Sequence, residues 1–73
     1  MTEAPRRLPA PWTAHELSEA YIVEDDNGQA LAYLYFEDEP TRRNQLKRLS
    51  RDEARKVANV IVQIPELMKR PKA

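Results

Sequence analysis

The chain has 73 residues, twelve basic and twelve acidic, with a formal net charge of zero. That length holds one small domain with a marginal core, since domains of about 60 residues bury only ~60% of the surface their unfolded chains expose. The absence of cysteine and the presence of one histidine and one glycine exclude disulfides, thiolate or histidine-rich metal sites, and glycine-rich phosphate or dinucleotide loops.

Residues 1–11 carry Pro5, Pro9 and Pro11. Each proline fixes φ and removes a backbone donor, so this stretch is expected to be a flexible, extended arm. Its two arginines have no apolar stretch behind them, so it is not read as a secretory signal. No apolar run approaches the ~20 residues that span a bilayer, and a cytoplasmic protein is expected. A single domain is expected over 12–70. Trp12 opens it, and the area it would bury argues for a lid on the core.

Residues 12–17, WTAHEL, alternate weakly and read as a short first strand, with a helical turn through 14–20 as the alternative. AYIVED is β-branched and aromatic and reads as a second strand. DDNG is the turn, and QALAYLYF the longest strand. Two turns fit. A two-residue loop at Asn27-Gly28 places Tyr21 opposite Leu34 and Val23 opposite Ala32. A type I turn starting at Asp25, with Gly28 in the left-handed bulge position, places Tyr21 opposite Tyr33 and Val23 opposite Leu31. The second is favoured, because only Gly28 then needs positive φ. It puts Ile22, Ala30, Ala32, Leu34 and Phe36 on one face and Tyr21, Val23, Leu31, Tyr33 and Tyr35 on the other. The first face is expected to be the core face, because its small alanines leave room for a helix.

Residues 37–49 have no strand pattern and no strong helix pattern, and read as a charged connection with at most a helical turn near Leu46. After them, Ser50 and Glu53 form the S-x-x-E capping box, with Leu49 and Ala54 at the staple positions. Ala54, Val57, Ala58, Ile61 and Ile64 follow helical spacing. Pro65 breaks or kinks the helix and can open a last turn, PELMKR. The fold expected is α+β: a two- or three-stranded antiparallel β-meander packed on one C-terminal α-helix. Two strands alone are marginal, which argues that residues 12–17 contribute.

Charge divides the chain. Residues 12–39 hold eight carboxylates and no lysine or arginine, whereas 42–56 hold seven basic residues opposed only by Asp52 and Glu53. Either the halves attract each other within the fold or one meets a charged partner. Catalytic chemistry is thin. His15 has no cysteine to activate, Ser18 and Ser50 sit in turn and cap contexts, and nothing marks an oxyanion hole. Asp25, Asp26 and Asn27 before Gly28 faintly resemble a calcium loop but lack the ligand spacing and the downstream bidentate acid. Neither an enzyme nor a cofactor or metal is expected.

A sheet with one face under a helix leaves the other as an amphipathic patch, and such patches mark protein interfaces. The candidate interface residues are Tyr21, Leu31, Tyr33 and Tyr35, with the partner another protein or a second copy in a homodimer. The competing explanation is that the N-terminal arm, with Leu8 and Trp12, folds across the patch. The alternative function is nucleic-acid or anion binding by the basic segment, through Arg42, Arg43, Lys47, Arg48, Arg51 and Arg55, with the tyrosines stacking on bases. Against it, the carboxylates of the sheet would repel phosphate.

A PPW-like lead into a strand, YIVEDDNGQALAYLYFEDEP, and RDEARKVANVIVQIPELM together resemble a family of small uncharacterised proteins common in rhizobia and related alphaproteobacteria. The likeness covers residues 11–68, and D-x-x-G-Q-x-L-A-Y is its most specific part. Ala58, Ile61, Pro65, Glu66 and Leu67 are also similar to the A-x-x-I-x-x-x-P-E-L-L tail of short phage-associated proteins, with Met68 in place of the last leucine and Ile64 in place of an alanine. The resemblance implies a bacterial protein with a hairpin-plus-helix layout, and it assigns no catalytic residue. The function expected is that of a small accessory protein, a protein-interaction or self-association module.

Overall fold

The computed structural model describes residues 8–69. Residues 1–7 of the arm expected over 1–11, and residue 70 at the end of the expected last turn, lie outside them. Strands β1 (Thr13–Glu16), β2 (Ala20–Glu24) and β3 (Ala30–Tyr35) are followed by helices α1 (Pro40–Leu46), α2 (Arg51–Ile61) and α3 (Ile64–Met68). The strands form an antiparallel meander in the order β1-β2-β3, and α2 covers one face, so the α+β architecture is as expected. Residues 12–17 do contribute a strand.

The β2–β3 turn closes as its residues dictate. The Gly28 N–H donates to the Asp25 carbonyl at 3.1 Å, and the Asp25 N–H to the Gln29 carbonyl at 3.0 Å. Gly28 has φ 82°, the left-handed conformation that glycine adopts without a Cβ penalty. The Asp25 carboxylate is buried because it is employed locally: Oδ1 accepts from the Asn27 and Gln29 N–H groups, both at 2.8 Å. That accounts for the calcium-like D-D-N-G run without a cation.

Beyond the turn the register departs from expectation. Glu24 pairs with Ala30, as the bulged turn requires, but Val23 then pairs with Ala32 and Tyr21 with Leu34. Leu31 is the extra residue in a second bulge. The expected turn is therefore combined with the pairing of the alternative turn, and the face assignment changes for β2. Tyr21 and Val23 belong to the core, with Ala32, Leu34 and Phe36, while Ile22 lies on the opposite face between His15 and Tyr33. The physical reason is that the bulge brings Tyr21 and Val23 to the side that α2 covers. The Tyr21 ring then packs at 57° to Phe36, with centroids 5.8 Å apart, and its hydroxyl donates to Glu16 Oε1 at 2.8 Å.

Close approach of helix to sheet comes from the helix. Ala54 and Ala58, four residues apart on one face of α2, are both fully buried against Tyr21, Val23 and Phe36. The capping box forms as the sequence predicts: the Glu53 N–H donates to Ser50 Oγ and the Ser50 N–H to Glu53 Oε1 at 2.8 Å. The helix ends at Ile61, before Pro65, and α3 begins with that proline in its first turn.

The charged connection holds a helix that sequence reasoning missed. Glu39 caps α1 by accepting from the Thr41 and Arg42 N–H groups at 3.1 and 2.7 Å, Pro40 takes the first turn, and Lys47 closes the helix at φ 55°. No residue of α1 is buried. Phe36 then forms a parallel bridge with Leu49, returning the chain alongside β3. Trp12 is half-buried at the margin of the core, and its indole N–H donates to the Leu8 carbonyl at 3.1 Å. Among the described residues no helix is long and apolar enough to cross a membrane.

Candidate functional site

The sheet face opposite α2 carries His15 from β1, Ala20, Ile22 and Glu24 from β2, and Tyr33 and Tyr35 from β3. Tyr33 and Tyr35 are each 51% exposed. Two residues apart on one strand, they share a face, and their rings stack at 17° with centroids 6.1 Å apart. The Arg48 guanidinium sits over the Tyr35 ring, 5.2 Å from its centroid, a distance at which a cation is attracted by the ring's negative face. At the opposite end of the face, His15 Nε2 lies 3.2 Å from Glu24 Oε1 and 3.2 Å from Thr13 Oγ1. Ile22, between His15 and Tyr33, is the apolar floor and is 8% exposed.

Of the four residues read as a possible interface, the structure brings two to this face. Tyr21 is buried under α2, where its hydrogen bond to Glu16, reinforced by burial, raises the phenol pKa above its usual range. Leu31 packs against the core as the bulge residue. Both corrections follow from the single-residue register shift. Sequence reasoning missed Ile22, His15 and Glu24 as members of the face, because parity along β2 was inverted. It also missed the pairing of Arg48 with Tyr35, which no local signal gives.

The described N-terminal residues do not take the course over the tyrosines that the competing explanation gave them. The Pro9 carbonyl accepts from the Asp26 N–H at 2.9 Å. Ala10, Pro11 and Trp12 line a depression with Val62, Pro65, Glu66 and Lys69, on the helical side. An adjoining apolar depression of about 410 Å³ is walled by Leu8, Ala10, Trp12, Pro65, Met68 and Lys69.

The basic segment is largely turned inward on the chain's own carboxylates. Arg51 bridges Glu16 of β1 and Asp38, and lies over the Phe36 ring at 4.4 Å. Its hydrogen bond to Asp38 lowers the Asp38 pKa and raises that of Arg51. Arg43 donates to the Glu37 and Asp38 carbonyls at 2.8 and 2.9 Å. Arg55 and Lys56 both hold Asp52, at 2.5 and 3.2 Å, and the hydrogen bond from Arg55 leads in lowering the Asp52 pKa. Arg42 is 4.0 Å from Glu37 with its side chain 67% exposed. The two charge halves of the sequence thus meet inside one molecule, while Lys47 and Arg48 make no ion pair with any described residue. No group of three or more histidine, aspartate or glutamate side chains among the described residues could hold a metal ion.

No protein-family model, curated protein or solved structure matches the chain.

Proposed function

We propose that the chain is a small protein-interaction module, non-catalytic and cytoplasmic, whose working surface is the sheet face away from α2, where Tyr33 and Tyr35 are exposed beside the buried Ile22. The observation that carries this reading is the pair of parallel, half-exposed tyrosine rings on the face away from α2. Tyrosine offers large contact area for little lost side-chain freedom, and it is enriched at the centres of interfaces. The engagement of His15 with Glu24 and Thr13, and of Ser50 in the helix cap, supports a non-catalytic role.

The test is site-specific photo-cross-linking in native cells with benzoylphenylalanine at position 35 and, as control, at Val60, which is exposed on the outer side of α2. Adducts of defined mass are expected from position 35 and not from position 60. Adducts from position 60 alone would overturn the reading.

A second reading, binding of nucleic acid by residues 42–56, is favoured by the exposure of Arg42 and the open positions of Lys47 and Arg48. Its neutralised neighbours weaken it. A fluorescence-anisotropy titration with mixed-sequence DNA at low salt is expected to stay flat. Saturable binding lost on Arg42→Ala and Lys47→Ala would favour it over the protein interface.

A further inference from the structure

Resting on the interaction reading just given, we infer that the partner of the tyrosine face is a second copy of this chain, laid face to face with its strands antiparallel. The open face is electrically polar along the strands. At the end where Tyr35 pairs with Ala20, Arg48 lies over the Tyr35 ring and makes no ion pair with any described residue. At the end where Glu24 pairs with Thr13 and Ala30, the Glu24 side chain, 28% exposed, lies 3.2 Å from His15 Nε2 and makes no ion pair with a described lysine or arginine. Ile22 and Tyr33, paired with each other, occupy the middle without charge. From Ala20 to Glu24 is four steps along a strand, or about 13 Å at ~3.3 Å per residue.

A twofold axis lying in the interface, perpendicular to the strands and passing over Ile22 and Tyr33, reverses strand direction between the copies. It therefore brings the Arg48 end of each copy onto the Glu24 end of the other, twice, and stacks apolar centre on apolar centre. Such a contact is self-complementary, as an isologous dimer requires. With a net charge of zero, no overall repulsion opposes association at neutral pH. The parallel arrangement would set Arg48 against Arg48 and Glu24 against Glu24, so the charges also select the orientation. Strands of four to six residues about 4.8 Å apart offer a face smaller than that of a standard stable interface. The dimer is therefore a weak, exchanging one.

The experiment is sedimentation velocity over a wide concentration range with the whole 73-residue chain and two charge reversals, Arg48→Glu and Glu24→Arg. The wild type is expected to show a concentration-dependent monomer–dimer equilibrium that weakens with salt. Each reversal alone confronts like charges at both contacts and should weaken dimerisation on the order of tenfold or more. An equimolar mixture of the two variants restores both contacts and should give a one-to-one heterodimer, an outcome that a fold defect cannot produce. Circular dichroism and thermal unfolding identify a variant that has lost its fold, and Glu24→Gln, in the place of Glu24→Arg, then carries the test through partial weakening. A wild type that stays monomeric at every concentration, single reversals that dimerise as well as the wild type, or folded variants whose mixture remains monomeric would overturn the inference. If position 35 cross-links to a protein of another mass while the wild type is monomeric, the interaction surface stands and the second copy does not.

Discussion

Gly28 is the one glycine, and it sits where most side chains would be strained. Its φ of 82° is left-handed, and a Cβ added there would meet nothing within 4 Å. The cost of Gly28→Ala is therefore conformational, about 1–2 kcal/mol, with no clash added. Gly28→Asn should cost less, since asparagine tolerates the left-handed region. Urea unfolding is the check: the midpoint should fall in that order while the slope m stays constant. Asp25 and Gly28 made this turn legible in the sequence. The Leu31 bulge three residues later was not legible, because in A-L-A-Y-L-Y apolar residues occupy both parities. Either side of β3 could then face the core, and alternation gave no warning of a one-residue slip. That slip alone removed Tyr21 from the candidate interface and put Ile22 in it.

Among the elements, α2 was legible at its start, where cap and apolar spacing agree, but not at its end: the spacing ran on to Ile64, whereas α2 stops at Ile61 and Ile64 opens α3. α1 was not legible, since all its residues stay out of the core and no apolar face marks it. Its only signal was Glu39 before Pro40, an N-cap followed by a first-turn proline. Both helix caps tie the fold to pH. The backbone N–H of Ser50 holds the Glu53 pKa below its ordinary value, and the N–H groups of Arg42 and Thr41 do the same for Glu39. A carboxylate whose pKa is lower when folded contributes stability above its unfolded value and loses it as pH falls through the folded one. Stability should then be nearly flat from pH 6 to 8, as far as these carboxylates set it, and fall below about pH 4.5. Replacing Glu53 by Gln should make that fall shallower, and Ser50→Ala should cost about 1 kcal/mol at neutral pH through loss of the cap. Denaturant midpoints measured across that pH range test both. A steep acid loss unchanged in Glu53→Gln would assign the effect to the other carboxylates with lowered pKa, Asp38, Glu39 and Asp52.

At the scale of the whole molecule, the sheet face under α2 carries the core, and the proposed interaction falls to the other face. Phe36 is 3% exposed and touches both the Tyr21 ring and the Arg51 guanidinium, so it joins sheet, helix and the charge cluster. Truncating a buried phenylalanine costs about 3–5 kcal/mol. A domain of this size has in total roughly 0.05–0.15 kcal/mol per residue. Phe36→Ala should therefore remove a large share of the fold's stability and lower its unfolding midpoint far more than either tyrosine change. Tyr33 and Tyr35 lie on the other face, half in solvent, and their rings touch each other rather than the core. Tyr33→Ser or Tyr35→Ser should cost about 1 kcal/mol or less and leave the dispersed amide spectrum of the folded domain intact. Proton–nitrogen correlation spectra of the three variants make the comparison directly. A collapsed spectrum for Tyr33→Ser would mean that the sheet depends on its outer face for stability. The tyrosines would then be structural cover, and a surface that the fold cannot lose without unfolding is a poor candidate for one kept for a partner.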